Sequence, residues 1–582
     1  MEKLMSYMGK YKKYTYAATI LLLLGTIANV VPFFLLYQII KPLILGWSES
    51  ADYYILRILA IAVLEFAYVL LYVKGLSVSH FSAFHTLKNI RVSLQEKIEK
   101  QPLGIIHGYG VGTLKKMFIN DIDDLELLLA HALPEGIANL TVPISVLIAI
   151  FIVDWKLGLL SLLVLPLGML AMGMLFYQGN SKMDAYYKSA QKMNNTIVEY
   201  INGMEVVKVF NKDGESLDRY ENDVKSYRDF TLDWYKACWP WMAIYNSILP
   251  CVCFFTLPIG AFLVLKGMVS MADLTLVLCM SFGIGGPLLK ALNFGSVLPQ
   301  INYKIEALEK MTSAPDLKQT QDAFTGKNHS IDMKHVCFGY NEKEVIHDVS
   351  LQIDEGNMVA FVGESGSGKS TLAKLLVHFY DVNAGSICIG GQDITQMSLE
   401  ALNNEISYVS QEQFLFNTTL LENVRMAKPE ASDAEVIEAC RKTQCFEFLD
   451  KLPHGLNSMA GDSGKLLSGG ERQRISLARA ILKDAPIVVL DEATAFIDPE
   501  NEEKMNLAIR EVIKDKTVIV IAHKLHSITN ADQICVIDQG KIAASGTHEE
   551  LLKTCEEYAN LWKIQEQSLN WTIQNKEVIQ NA

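Results

Sequence analysis

The sequence predicts an all-α membrane domain of six helices followed by a soluble α/β domain. Its 582 residues exceed what one hydrophobic core normally supports. Long apolar runs dominate the chain up to about residue 305, and an ordinary soluble composition follows. We therefore expect a membrane domain at 1–305, a linker at 306–330, a soluble domain at 331–565 and a polar tail at 566–582.

Six apolar runs predict six membrane-spanning helices. The first, 14–40, carries no charge, and a helix of that length reaches about 40 Å against a hydrocarbon core of about 30 Å. The others are 58–73, 136–153, 157–178, 241–265 and 274–296. Only residues 154–156 separate the third run from the fourth, which predicts a tight helical hairpin. Pro240, Pro250 and Pro258 are expected to kink the fifth run.

The charges orient these helices and exclude one class of partner. Lysine and arginine precede the first run and fill the long loops after the second and fourth runs, whereas the opposite loops carry few of them. The positive-inside rule therefore predicts a cytoplasmic membrane protein whose amino terminus and soluble half are cytoplasmic. A net charge of −13 argues against a nucleic-acid partner. Glu65, a carboxylate within a span, is expected to face a substrate or to pair with a neighbouring helix.

The soluble half contains a phosphate-binding loop between a strand and a helix. The motif MVAFVGESGSGKST, 358–371, is an apolar strand, a GxxxxGKS loop and the start of a helix. Its glycines let backbone N–H groups face phosphates, Lys369 reaches the β and γ phosphates, and Ser370 offers a hydroxyl to magnesium. The pattern therefore predicts an α/β P-loop NTPase domain.

A second motif, IVVLDE at 487–492, ends a buried strand with two adjacent carboxylates. Asp491 stands where a P-loop NTPase holds its magnesium ion. Glu492 is one residue further and can polarise an attacking water, which makes it the candidate catalytic base. A pair of capping carboxylates is the alternative interpretation, and the presence of Lys369 upstream argues against it.

With these residues in place, the chain resembles the ATP-binding cassette (ABC) transporters over nearly its whole length. LSGGERQR, 467–474, matches the signature of that family almost letter for letter and is far more specific than a phosphate loop. The resemblance implies that Tyr340 stacks on adenine and that Gln411, His523 and Asp498 are the Q-loop, switch and D-loop residues. It also implies the fold class, a membrane all-α six-helix domain followed by an α/β P-loop NTPase domain of the ABC cassette type.

The resemblance implies ATP and Mg²⁺ as cofactors and a defined set of site residues. The residues expected to bind the nucleotide are Tyr340, Gly363, Glu364, Ser365, Gly366, Ser367, Gly368, Lys369, Ser370, Thr371, Ser468, Gly469, Gly470 and Glu471. Those expected to hold magnesium are Ser370, Gln411 and Asp491, and those expected to act in hydrolysis are Glu492, His523, Gln411 and Asp498.

The signature also sets the expected assembly. Ser468, Gly469 and Gly470 begin a helix whose free N–H groups form a second anion site. In the family, that site binds the γ phosphate of the nucleotide held by the other subunit. One cassette and six spans therefore imply a half-transporter that acts as a homodimer or as a heterodimer with a related chain.

The membrane half also resembles the family, and one motif resembles a particular subgroup of its half-transporters. Exporter-fold members dock loop tips, here around 112–123 and 210–216, on the cassettes. The stretch DEATAFIDPENE, 491–502, is similar to that of half-transporters that take up iron–siderophore complexes such as those of yersiniabactin and mycobactin. This similarity favours siderophore uptake, and export of a lipid, peptide or drug is the alternative. The six spans exclude a soluble ABC ATPase, and the intact ATPase motifs exclude a purely structural membrane protein.

Overall fold

The computed structural model describes residues 2–209, 213–340, 343–491, 499–522 and 524–567. Contacts group the chain into two units. The first, which we call the membrane unit, comprises the chain up to Lys97 and Val111–Ser313; the second, the cassette unit, comprises Ile98–Gly110 and the chain from Ala314 onward.

The membrane unit consists of helices. They are α1 (Glu2–Met8), α2 (Lys12–Leu45), α3 (Ala51–Glu99), α5 (Val111–Lys116), α6 (Pro134–Val153), α7 (Trp155–Leu162), α8 (Val164–Asn202), α9 (Met204–Val209), α10 (Asp213–Ile248), α11 (Cys253–Leu265) and α12 (Met271–Ser313), with α4 (Leu103–Tyr109) belonging to the cassette unit. Two π-helical stretches, Met117–Asp121 and Leu127–Ala132, lie between α5 and α6.

Five helical segments of the described chain are long and apolar enough to cross a membrane. The count becomes the predicted six if a bent pair, Asp218–Ile248 and Cys253–Leu265, is one span. That pair bends by 45° at a break that contains Pro250, where the sequence predicted a kink. A Cβ atom on Gly285 would lie 2.4 Å from Pro250 Cα, so glycine lets α12 approach the break.

The predicted hairpin between the third and fourth runs is present. Asp154 lies between α6 and α7 in an extended conformation, with φ −155° and ψ 120°. Its Oδ1 accepts hydrogen bonds from the backbone N–H groups of Lys156 (2.8 Å) and Leu157 (3.2 Å), which caps α7. Glu65 lies half-buried within α3.

The cassette unit contains two sheets and surrounding helices. Its strands are β1 (Ile331–Tyr340), β2 (Lys343–Ile353), β3 (Met358–Val362), β4 (Ala384–Ile389), β5 (Gln392–Asp393), β6 (Ile406–Val409), β7 (Ile487–Asp491), β8 (Thr517–Ile521), β9 (Gln533–Asp538) and β10 (Lys541–Gly546). Its further helices are α13 (Lys369–Leu376), α14 (Leu399–Glu405), α15 (Leu420–Arg425), α16 (Asp433–Lys442), α17 (Phe446–Leu449), α18 (Gly469–Lys483), α19 (Pro499–Ile513) and α20 (His548–Thr554).

The strand order places the chemistry at one edge. The larger sheet runs β10-β9-β3-β8-β7-β6, and all its pairings are parallel except that of β10 with β9. Strands β3, β7 and β8 are almost entirely buried, as their apolar sequences predict. The carboxyl ends of β3, β7 and β6 therefore lie at one edge, where open parallel sheets bind their ligands.

The boundary between the two units, at Ser313 and Ala314, falls inside the segment 306–330 that was expected to be a linker. Helix α12 continues to Ser313, beyond the expected domain end at residue 305. From Ala314 onward the chain lies in the cassette unit, where the Lys318 N–H donates to the carboxylate of Asp381 (3.2 and 3.3 Å).

Candidate nucleotide-binding site

The phosphate loop joins β3 to α13 with the backbone geometry that the motif predicts. Gly363 and Gly368 have φ of 144° and 110°, a region that disfavours side chains. A Cβ on Gly363 would lie 2.1 Å from the carbonyl oxygen of Ile537. The Lys369 ammonium is buried inside the loop and donates to the Gly363 and Glu364 carbonyls at 2.9 and 2.6 Å. The loop thus surrounds the cation that would meet the phosphates.

The structure brings Ser370 and Asp491 together. Asp491 is buried, and its Oδ1 accepts a hydrogen bond from Ser370 Oγ at 2.9 Å. Its Oδ2 accepts a second one from Tyr408 Oη at 3.0 Å. Hydroxyl and carboxylate oxygens are the ligands that Mg²⁺ prefers, so this pair fits a magnesium site. Gln411, the third predicted ligand, lies exposed on the loop that follows β6.

Tyr408 is the site residue that sequence reasoning missed. A tyrosine within the strand ISYV has the pattern of a core aromatic, and only the pairing of β6 with β7 shows that its hydroxyl meets Asp491. Burial, reinforced by the Asp491 carboxylate, raises the pKa of Tyr408 well above the usual range for a tyrosine. The phenol is therefore a hydrogen-bond donor at every physiological pH.

Tyr340 lies beside the start of α13. Its hydroxyl is 3.3 Å from Thr371 Oγ1, and its ring packs edge-on against Phe338 and Tyr380 with centroids 5.0 and 5.3 Å away. The ring is half-buried. An aromatic face is therefore placed next to the phosphate loop, which the predicted stacking on adenine requires.

The signature residues start α18 with a reciprocal cap. The Ser468 N–H donates to Glu471 Oε2 at 2.7 Å, and the Glu471 N–H donates to Ser468 Oγ at 3.4 Å. Ser468 and Gly469 are exposed. The described contacts of Glu471 are those of a helix cap, and Gly470, Glu471 and Arg472 are half-buried, so exposure is confined to the start of α18.

Three predicted catalytic residues, Glu492, Asp498 and His523, lie outside the described residues. Asp491, at the end of β7, immediately precedes Glu492. The roles of these three residues stay predictions from the sequence.

A segment of the loop between the second and third spans packs within the cassette unit. The Leu103 N–H donates to the Phe379 carbonyl at 3.0 Å, and the Leu317 N–H donates to the Lys100 carbonyl at 2.8 Å. We call residues 98–110 the docking segment. The resemblance placed a docking tip around 112–123. Those residues belong to the membrane unit, and their contact with a cassette stays a prediction. The other predicted tip, 210–216, begins at residues that the structure does not describe.

Adding a methyl group at Gly104 is expected to loosen the packing of the docking segment within the cassette unit. A Cβ on Gly104 would lie 2.9 Å from Tyr380 Cε1, whereas a Cβ on Gly108, on the same helix, would meet nothing within 4 Å. We expect Gly104→Ala to lower substrate-stimulated ATP hydrolysis about 3- to 10-fold, since displacing a packed contact costs about 1 kcal/mol or more. ATPase assays with and without substrate measure this. Gly108→Ala is the matched control, and equal effects of the two substitutions would contradict the prediction.

One group of described residues in the membrane unit could hold a metal ion. A nitrogen from each of His80 and His131 and an oxygen of Glu126 lie within 4.8 Å of one another. Glu135, which is buried, accepts from Tyr72 at 2.9 Å and lies 2.5 Å from His131 Nδ1. A carboxylate behind a ligating histidine is a common arrangement at zinc sites.

We expect this cluster to bind about one zinc ion per chain. Metal analysis of the dialysed full chain, purified without a histidine tag, measures it. His131→Gln should lose the ion, whereas His85→Gln, on α3 but outside the cluster, should keep it. Full zinc content in His131→Gln would contradict the prediction.

Comparison with known proteins bears on both units. Residues 346–495 match the family described as ABC transporter, and residues 15–288 match the ABC transporter transmembrane region. The mycobactin import ATP-binding/permease protein IrtA of Mycolicibacterium smegmatis is 33% identical over 92% of this chain. The match spans 62% of the length of IrtA, so the chain corresponds to part of that protein.

Two further proteins are similar over most of their own length. The ATP-dependent lipid A-core flippase of Syntrophus aciditrophicus is 30% identical over 86% of this chain and 85% of its own. The structure of a bacterial Atm1-family ABC exporter with ATP bound superposes with a TM-score of 0.79 at 26% identity, covering 95% of this chain and 98% of that one.

Proposed function

This chain belongs to the ABC transporter family, with membrane domain and ATPase in one polypeptide, and we propose that it takes up an iron–siderophore complex across the cytoplasmic membrane. Its similarity to the mycobactin import protein IrtA over 92% of the chain carries this proposal. The sequence DEATAFIDPENE, which resembles the siderophore-uptake subgroup, supports it independently.

We propose a dimer as the active form, with a homodimer and a heterodimer both consistent with the motifs. The exposed start of α18 supports this, because free N–H groups at a helix start bind anions and can reach the nucleotide of another subunit. Phe414 and Phe416 are both about half exposed and pack edge-on against each other at 5.1 Å. Such aromatic pairs are frequent at protein interfaces.

In the proposed hydrolysis, this chain's residues bind the nucleotide and orient water. Magnesium, when bound, neutralises charge on the β and γ phosphates. Ser370 and Asp491 would hold it, with Gln411 completing the oxygen ligands. Lys369 binds the phosphates, Glu492 takes the proton of the attacking water, and His523 and Asp498 position that water and the partner's loop.

Uptake of ⁵⁵Fe-loaded siderophores by whole cells tests the proposal. Cells that produce the chain together with any related neighbouring half-transporter should accumulate a ferric siderophore in an energy-dependent way. Glu492→Gln should abolish this accumulation at equal protein level. Equal accumulation in both strains across several siderophores would overturn the uptake proposal.

Export of a lipid is the second candidate function. The similarity to a lipid A-core flippase over 85% of that protein's length favours it. In that case, ATP-dependent movement of a labelled lipid would be present in the wild type and lost in Glu492→Gln, while siderophore accumulation would be unaffected.

A further inference from the structure

Tyr408 controls one of the two oxygens of the buried Asp491 carboxylate. It lies on β6, paired in register with Val489 of β7, so its ring reaches the end of β7 where Asp491 stands. Tyr408 Oη donates to Oδ2 at 3.0 Å while Ser370 Oγ donates to Oδ1 at 2.9 Å. Both carboxylate oxygens therefore have a defined donor.

Fixing both oxygens matters because a carboxylate rotates easily. The last torsion of an aspartate is broad and roughly two-fold, so packing alone does not define the plane of the carboxylate. A neutral hydroxyl that donates to a buried carboxylate makes a charge-assisted hydrogen bond, which fixes one oxygen without cancelling the charge of the group. The donor at Oδ2 thus sets the plane of the carboxylate and leaves Oδ1 oriented toward Ser370 and the phosphate loop.

The Tyr408 ring also contacts Phe379, the residue whose carbonyl forms a hydrogen bond with the docking segment. The rings of Phe379 and Tyr408 pack edge to face, with centroids 5.5 Å apart and an interplanar angle of 87°. The carbonyl of the same Phe379 accepts the hydrogen bond from Leu103. Leu103, Phe379, Tyr408 and Asp491 are therefore linked by three consecutive contacts, all within the cassette unit.

We propose that Tyr408 is a positioning residue for magnesium binding: it orients the Asp491 carboxylate and links that orientation, through Phe379, to the docking segment. The inference rests on the proposed role of Asp491 in holding magnesium. Loss of the hydroxyl frees the carboxylate to rotate, which weakens magnesium binding more than nucleotide binding. A displaced docking segment moves Phe379 and so acts on the same carboxylate.

The test has two readouts on the full-length transporter in lipid nanodiscs: binding of Mn²⁺, a paramagnetic substitute for Mg²⁺, to the nucleotide-bound protein by electron paramagnetic resonance, and the Mg²⁺ dependence of ATP hydrolysis. Both half-saturating concentrations should shift together. Tyr408→Phe keeps the ring and its packing on Phe379 and removes only the hydroxyl. We expect it to raise the half-saturating Mg²⁺ concentration about 5- to 20-fold, the effect of losing one hydrogen bond to a charged group. The KM for ATP and kcat, measured at saturating Mg²⁺, should stay within about two-fold of wild type.

Tyr558→Phe is the matched control, because Tyr558 is a fully buried tyrosine of the same unit whose hydroxyl bonds His548 at 2.8 Å. Its Mg²⁺ curve should match the wild type. An unchanged Mg²⁺ curve in Tyr408→Phe, or equal changes in both variants, would overturn the inference. Asp491→Asn distinguishes a failure of the proposed magnesium role of Asp491 from a failure of the positioning role of Tyr408. A normal Mg²⁺ requirement in Asp491→Asn would refute the magnesium role itself. A raised requirement in Asp491→Asn together with a normal one in Tyr408→Phe would refute only the positioning role.

The link to the docking segment is tested in the same assay. Gly104→Ala, which pushes on Tyr380 next to Phe379, should raise the half-saturating Mg²⁺ concentration in the wild-type background. If both substitutions act through the same hydroxyl, the double variant should have the same half-saturating Mg²⁺ concentration as Tyr408→Phe alone. If the fold-changes of the two single variants multiply in the double variant, the docking segment does not act through the Tyr408 hydroxyl.

Discussion

Lys369→Ala is expected to lower ATP hydrolysis by about 10² to 10³-fold. The Lys369 ammonium is buried within the phosphate loop, where carbonyl oxygens at 2.6 and 2.9 Å hold it in place. A charge fixed in this way acts on the phosphates without reorganising, which is why its removal is expected to reduce turnover so strongly. Steady-state release of phosphate by the purified full-length transporter measures the effect.

Lys374→Ala is the control for that substitution. Lys374 lies on the same helix, α13, and is half-buried, but it is five residues beyond Lys369. Its replacement should leave turnover within about two-fold of wild type, as for most substitutions away from a site. Turnover in Lys369→Ala within ten-fold of wild type would contradict the role given to this lysine.

Gly363→Ala is expected to destabilise the cassette unit by about 3 to 5 kcal/mol. The added Cβ would lie 2.1 Å from the Ile537 carbonyl oxygen, and the φ of 144° is one that only glycine adopts easily. Ile537 belongs to β9, a buried neighbour of β3, so the backbone cannot yield without disturbing the sheet. The thermal unfolding temperature of the full chain should fall by about 10 °C.

Gly391→Ala separates the steric clash from the backbone strain. Gly391 also has a positive φ, 84°, but a Cβ there would meet nothing within 4 Å. Only the strain of about 1 to 2 kcal/mol then applies, and the unfolding temperature should fall by a few degrees. Equal losses at the two glycines would show that the Ile537 contact does not constrain the loop.

The phosphate loop was predictable because its sequence specifies local geometry. Glycines with positive φ, a lysine and a hydroxyl at fixed spacing between a strand and a helix determine where each group points. The meeting of Ser370 with Asp491 followed as well, because the carboxyl ends of parallel strands share one edge. The break near Pro250 was predictable for the same local reason, since proline removes a helical hydrogen bond.

Contacts of residues that belong to no motif were not predictable. Tyr408 meets Asp491, 83 positions later, only because β6 and β7 are neighbours in the sheet, and an aromatic within a strand does not reveal its neighbour. The packing of the docking segment within the cassette unit was not predicted, because glycines indicate a turn without indicating which residues that turn contacts. Tertiary packing, and not local propensity, decides such contacts.

The direction of transport is the central claim, and reconstituted vesicles test it most directly. In proteoliposomes loaded with ⁵⁵Fe-siderophore, ATP added outside drives only those transporters whose cassettes face outward. For these molecules the lumen corresponds to the cell exterior. Uptake into the cell predicts an ATP-dependent loss of ⁵⁵Fe from the lumen that Glu492→Gln abolishes. A lumen that retains its iron, or that accumulates siderophore supplied outside, would contradict the account.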